Sequence, residues 1–144
     1  MGTAVNAPLY TTEILRLAAS LAEPHELARE DGRAELRSPT CGSRVSLAVQ
    51  LDDDRRVERL SMDVHACAFG QASAALVERH SRGLAHDEIS ETMLNLSRWL
   101  ADEQEEPAEW PSLAILAPAR SRRSRHGAIL LPFRALLAAI ESAT

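Results

Sequence analysis

No lysine occurs in this sequence of 144 residues: all 16 cationic side chains are arginine. Schiff-base chemistry, a phosphate-gripping P-loop and a lysine general base are therefore excluded. Aromatic residues make up only 3% of the chain, and cysteine occurs twice. Two cysteines cannot build a disulfide framework, and without a Cys-x-x-Cys pair a zinc-finger layout is excluded as well. No apolar run approaches the roughly 18 residues that a membrane span requires. The segment Met1 to Tyr10 lacks the charged and apolar regions of a signal peptide, so a cytoplasmic protein without a membrane partner is expected. A formal net charge of -5 disfavours nucleic acid as the main partner.

With 45% hydrophobic and 26% charged residues, the chain reads as one globular domain over 1–144. At this length roughly two thirds of the unfolded surface can be buried, so a core needs neither disulfides nor a structural metal. Thiol or metal chemistry, where present, then serves function.

Thr11 or Thr12 can cap a first helix whose stripe is Ile14, Leu15, Ala18 and Leu21, ending near Pro24. After the polar stretch Glu26 to Gly32, three segments alternate with a period of two: Ala34 and Leu36; Val45, Leu47, Val49 and Leu51; Leu60, Met62, Val64 and Ala66. Arg44, Ser46, Gln50, Ser61, Asp63 and His65 fall on the opposite face, which predicts an antiparallel sheet packed on one side and solvated on the other. Asp52 to Arg55 is the hairpin turn. From Cys67 the period becomes helical, through Phe69, Ala72 and Leu76 to a stop at Gly83. A third helix runs from about Asp87 with Ile89, Met93, Leu96 and Leu100 inward, and the acidic stretch Asp102 to Glu109 follows. Next come a short helical segment from Trp110 through Leu116 and a basic connection, Ala117 to Arg125. Phe133, Leu136, Leu137 and Ile140 mark a last helix, which tolerates Pro132 only in its first turn. Strands before helices give an α+β class: a three-stranded antiparallel sheet with helices packed on one face.

Cys41 lies in the turn-rich segment Ser38-Pro-Thr-Cys-Gly-Ser43, where Gly42 lets the backbone approach whatever the sulfur holds. Cys67 stands where the third strand meets the second helix, and the exposed N–H groups of a helix N-terminus favour a thiolate. By composition alone each could equally be a small buried apolar residue, the ordinary fate of a free cysteine. His126, ahead of Gly127, is either one more polar residue of an arginine-rich loop or an imidazole ligand for zinc or iron. His65 shares a strand face with Cys67 if the strand extends that far, and Asp63 could orient it. The run Arg120 to Arg125 reads as a solvated face opposite Asp102 to Glu109, or as a patch that docks an acidic partner.

Ser38-Pro-Thr-Cys-Gly-Ser43, the alternating strand behind it, and Val64-His-Ala-Cys-Ala-Phe-Gly-Gln-Ala-Ser-Ala-Ala-Leu76 together resemble the IscU/NifU N-terminal family of iron-sulfur cluster assembly scaffolds. The family's motifs are similar to Cys-Gly-Asp and Gly-Cys-x-x-x-x-Ala-Ser, and the resemblance runs from about Tyr10 to Ile140. It implies a protein that is not an enzyme and that binds iron, an iron-sulfur cluster such as [2Fe-2S], or zinc through Cys41 and Cys67. It also implies a cysteine desulfurase and cluster-accepting proteins as partners. Three departures stand out. Ser43 occupies the place of the family's aspartate. Matching Leu131-Pro-Phe-Arg-Ala-Leu136 and Arg125 to a segment similar to Arg-x-Lys-Cys-Ala-x-Leu-x-Trp puts Ala128 at the third cysteine. The Leu-Pro-Pro-Val-Lys chaperone motif is missing.

Two thiolates per chain leave a cluster short of ligands, so His126 as a further metal ligand is one expectation. A homodimer sharing one [2Fe-2S] cluster through paired Cys41 and Cys67 is another. The competing readings are an interaction or regulatory module that keeps the fold and binds no cluster, and a thiol enzyme or sulfur carrier with Cys67 as nucleophile.

Overall fold

The structure, a computed structural model, describes residues 10–39 and 42–143. Helix α1 (Thr12–Ala19) precedes strands β1 (Gly32–Arg37), β2 (Arg44–Leu51) and β3 (Val57–His65). Helices α2 (Ala68–His80) and α3 (His86–Leu100), 3-10 segments at Leu113–Ser121 and Arg123–Arg125, and helix α4 (His126–Ser142) follow. Thr11 caps α1, its hydroxyl accepting the Ile14 N–H at 3.1 Å.

The strands form one antiparallel sheet in the order β1-β2-β3. Leu47 stands opposite Ala34 and Met62, and Val45 opposite Leu36 and Val64, so the register lines the alternating apolar residues up on one face. Helices α2 and α4 pack on that face, with α1 against α2 and α3 against α4. Val45, Leu47, Val49, Phe69, Leu76, Ile129, Phe133 and Leu136 are fully buried between them. Each such side chain contributes about 1.5–3 kcal/mol by leaving water. The α+β class, with helices on one side of a three-stranded sheet, is as the sequence predicts.

Glycine at 32 sets how β1 lies on α4. A Cβ there would collide with the Ala139 carbonyl, and the Ser142 hydroxyl accepts the Arg33 N–H at 3.0 Å while donating to the Arg33 carbonyl at 3.2 Å. The start of β1 therefore meets the end of α4, and the two elements run in opposite directions.

Three expectations need correction. The sheet's other face is not simply solvated: Gln50 and Ser61 are only 7% and 8% exposed. The polar stretch after α1 lies across them, because its backbone N–H groups require acceptors. His25 N–H donates to Ser61 Oγ at 2.8 Å and Arg29 N–H to Gln50 Oε1 at 3.1 Å. The region Ala117 to Arg125 is mostly 3-10 helix, not an open connection. Arg120 holds it down, donating to the Trp99 carbonyl at 2.9 Å and to Asp102 at 2.7 Å, with its guanidinium 5.0 Å from the Trp99 ring centre. Finally, α4 begins at His126, so Pro132 lies beyond its first turn. Proline leaves the Ala128 carbonyl without its helical donor. One turn of such disruption is affordable in a helix buried along most of its length, and the Ser73 hydroxyl reaches the neighbouring Ile129 carbonyl at 2.6 Å.

His86 at the start of α3 joins the end of α4: its Nε2 lies 2.6 Å from Glu141 and its Nδ1 3.1 Å from Asp87. Both ring nitrogens face carboxylates, so the imidazolium is the bonded form. The hydrogen bond to Glu141, then that to Asp87, raises its pKa above the ordinary 6.5. This stabilisation is full below about pH 6.5 and is lost as pH rises through the raised folded value. His86→Gln is expected to lower stability at about pH 5.5, by no more than about 1 kcal/mol for so exposed a pair, and to match the parent protein at about pH 9. An equal Tm loss at both pH values, measured by thermal scans, would count against the ion pair.

Candidate functional site

The β-register decides which ends of the chain's motifs meet. Arg37 stands opposite Arg44, and Arg44 opposite His65. The β1–β2 connection and the junction between β3 and α2 therefore share one end of the sheet. The connection's two ends are joined by backbone bonds: Gly42 N–H donates to the Ser38 carbonyl at 3.0 Å and Ser38 N–H to the Ser43 carbonyl at 2.8 Å. Gly42 takes φ +72°, a conformation that favours glycine. Ser43, in place of the family's aspartate, is 4% exposed. Cys41 lies outside the described residues.

Cys67 is the N-cap of α2, with extended backbone and a half-buried side chain, and its carbonyl accepts the Gln71 N–H at 3.0 Å. No side chain caps this helix and no acidic residue occupies its first turn. The sulfur thus stands at the uncompensated positive end of the helix dipole. Gln71, one turn on, reaches back to the Ala66 carbonyl at 3.1 Å and braces the junction. Because β3 ends at His65, Cys67 is not on the strand, and the condition for a shared strand face with His65 is not met. His65 does lie 3.3 Å from Asp63, both on the exposed outer face.

Ala128 sits in the first turn of α4, 1% exposed. Its Cβ and its carbonyl oxygen each lie 3.3 Å from where a side chain on Gly70 would begin, and the Ala66 Cβ is 2.6 Å from that point. The first turns of α2 and α4 therefore touch, and a side chain at 70 would crowd Ala128 and collide with Ala66. The small residues Ala66, Ala68 and Gly70 were visible in the sequence, but the contact of Gly70 with a helix far downstream was not. The position matched to a third cysteine is thus packed against the turn that follows Cys67.

His126, the first residue of α4, is half-buried. Its Nε2 lies 2.8 Å from the Ala119 carbonyl, an acceptor, so that nitrogen carries the proton and Nδ1 keeps its lone pair in the neutral ring. Among the described residues, no three His, Cys, Asp or Glu side chains converge as a metal site. Ser73, fully buried and bonded to Ile129, links α2 to α4 and serves the fold. No helix among the described residues is long and apolar enough to cross a membrane.

No protein-family model matches the chain, and no curated protein matches it. Solved structures do. The N-terminal part of a nitrogen-fixing NifU-like protein from Brucella abortus is 29% identical, with 93% of each chain covered and a TM-score of 0.84. A protein of the thermophile Fervidobacterium islandicum AW-1, assigned as an iron-sulfur cluster assembly scaffold for the SUF system, is 21% identical. It covers 92% of this chain and 96% of its own, with a TM-score of 0.77. A hypothetical protein follows at 23% identity and a TM-score of 0.66, covering 90% of this chain and 97% of its own. In fold, and across nearly the whole chain, the protein is similar to the IscU/NifU-like family that its two cysteine motifs resemble.

Proposed function

We propose that this protein is a scaffold-type accessory of iron-sulfur cluster assembly, working in the cytoplasm and holding iron or a nascent cluster as cargo through Cys41 and Cys67. The observation that carries the reading is the strand register: it brings the Ser38–Ser43 turn and the Cys67 helix start to one end of the sheet. Similarity to a NifU-like protein and to an assigned SUF scaffold supports the same role. Thiolates suit iron, iron-sulfur clusters and zinc. Cys67 is half-buried, so the residue keeps part of its surface in solvent, where cargo is exchanged. His126 has the arrangement usual for a metal-binding imidazole, one nitrogen donating to a carbonyl and the other left to the metal. A cysteine desulfurase would supply sulfur, and a cluster-accepting protein would take the product. The protein itself catalyses no reaction.

A buried methyl group at Ala128, where a third thiolate is matched, favours a second reading: an interaction module on the same fold that binds no cluster. Anaerobic reconstitution with ferrous iron and sulfide separates the two. The expected product is a brown protein with charge-transfer absorption, lost in Cys41→Ser and in Cys67→Ser. Iron and sulfide per chain, with sedimentation, reports whether two subunits share one [2Fe-2S] cluster. Protein that stays colourless at every iron ratio overturns the scaffold reading.

A further inference from the structure

We propose that the cysteine end of the molecule is a cationic docking surface for an acidic segment of a partner protein, bound by Arg37, Arg44, Arg122, Arg123 and Arg125. The placement follows from the packing. The end of α4 meets the start of β1, while its first turn, through Ala128, meets the first turn of α2 at Gly70. The N-termini of α2 and α4, the end of β1 and the start of β2 therefore share one end of the molecule.

At that end all five arginines stand where local electrostatics disfavours a cation. Arg37 is directly opposite Arg44, a like-charge pair that destabilises an antiparallel ladder. Arg122, Arg123 and Arg125 immediately precede the N-terminus of α4, where the helix dipole disfavours cations. Helices α1 and α3 carry Glu13 and Asp87 with Glu88 in their first turns, whereas α2 and α4 carry no acidic residue there. Among the described residues none of the five arginines has a carboxylate within ion-pair distance. Arg29 pairs with Asp31, Arg33 with Glu30, Arg56 with Glu88 and Arg120 with Asp102, whereas Arg55, Arg59, Arg82 and Arg134 have no such partner among the described residues either, so position rather than lack of a partner sets the five apart. Arg16, Arg79 and Arg98 lie in the last turns of helices, where the dipole welcomes them. Arg37, Arg122 and Arg123 are exposed and Arg44 and Arg125 half-buried.

A chain of net charge -5 that gathers uncompensated guanidinium groups at one end presents a surface for carboxylates, which a planar guanidinium grips in pairs. Single-stranded nucleic acid fits less well, because its binding sites stack bases on exposed aromatic rings. Here Phe69, Phe133, Trp99 and Trp110 are buried, and Tyr10 packs on Phe69 with ring centres 5.1 Å apart. The inference rests on the proposed scaffold role only for why a partner approaches this end.

The test is fluorescence anisotropy of a labelled octaglutamate peptide with the full-length apo protein, repeated in the Cys41→Ser/Cys67→Ser background. Because no iron is present, failure of the scaffold reading leaves this binding untouched. The triple variant Arg122→Gln/Arg123→Gln/Arg125→Gln should bind the peptide at least about 10-fold more weakly. Arg79→Gln/Arg82→Gln/Arg98→Gln, with the same change in charge, should lose less than about 2-fold. Removing cations from a helix N-terminus should also leave Tm unchanged or raise it by roughly 1–4 °C. Equal weakening in both triple variants, absence of peptide binding by the parent protein, a Tm loss in the first triple, or tighter binding of an eight-nucleotide RNA would each overturn the proposal.

Discussion

Ala128→Cys is expected to tighten Zn²⁺ binding by on the order of 10²-fold, read by competition with a chromophoric chelator under reducing conditions. A four-ligand structural zinc site is worth about 10–16 kcal/mol, or roughly 3 kcal/mol per ligand, which corresponds to about two decades of affinity. The effect depends on where Ala128 sits. It belongs to the first turn of α4 and lies against Gly70, one turn along from the Cys67 cap. Position 128 is closely packed against Gly70, so the added sulfur costs roughly 1–3 kcal/mol of overpacking, and the parent fold should persist with a Tm loss of about 3–10 °C. An Ala128→Cys protein that folds as the parent does but binds zinc no better would break the match between position 128 and a third ligand. It would also favour the cluster-free reading of this fold.

The largest loss of stability is expected at Phe133. Its side chain is fully buried in α4 and meets the Trp110 ring nearly edge-on, with centres 5.2 Å apart, while the indole N–H donates to the Leu76 carbonyl at 3.1 Å. One ring thus ties α4 to the segment before the 3-10 helix and, through Trp110, to α2. Phe133→Ala removes that contact and leaves a cavity between elements that cannot collapse independently, at a cost of about 3–5 kcal/mol. Against a total stability of about 5–15 kcal/mol, that is a Tm loss of roughly 10–15 °C. Phe133→Leu, which keeps most of the volume, should lose less than half as much. A calorimetric scan showing under about 1 kcal/mol for the alanine variant would mean that α4 is held by something other than this packing.

Much of the fold is legible in the sequence. The alternation of Val45, Leu47 and Val49, and of Leu60, Met62 and Val64, encodes a one-sided sheet because successive strand residues face opposite ways. The helical spacing after Cys67 encodes α2 in the same local manner. Pro132 misled because proline carries a local rule, exclusion from helix interiors, that burial of nearly every neighbour overrides. Arg120 bears out the reading of the basic run as lying opposite the acidic stretch, since it pairs with Asp102 at 2.7 Å. The sequence did not show that the same guanidinium also lies over the Trp99 ring.

Local pattern alone determined the three strands, the helix that starts at Cys67, and the presence of two thiols, each in a turn or at a helix start. Tertiary structure decided the rest: that both cysteine motifs lie at one end of the sheet, that Ala128 rests on Gly70, that His126 is tied through Nε2 to Ala119, and that Arg37 and Arg44 stand opposite each other at the same end. Periodicity is a property of neighbours along the chain, set by backbone geometry. Convergence is a property of strand register and helix direction, set by packing between residues as far apart as Gly32 and Ala139.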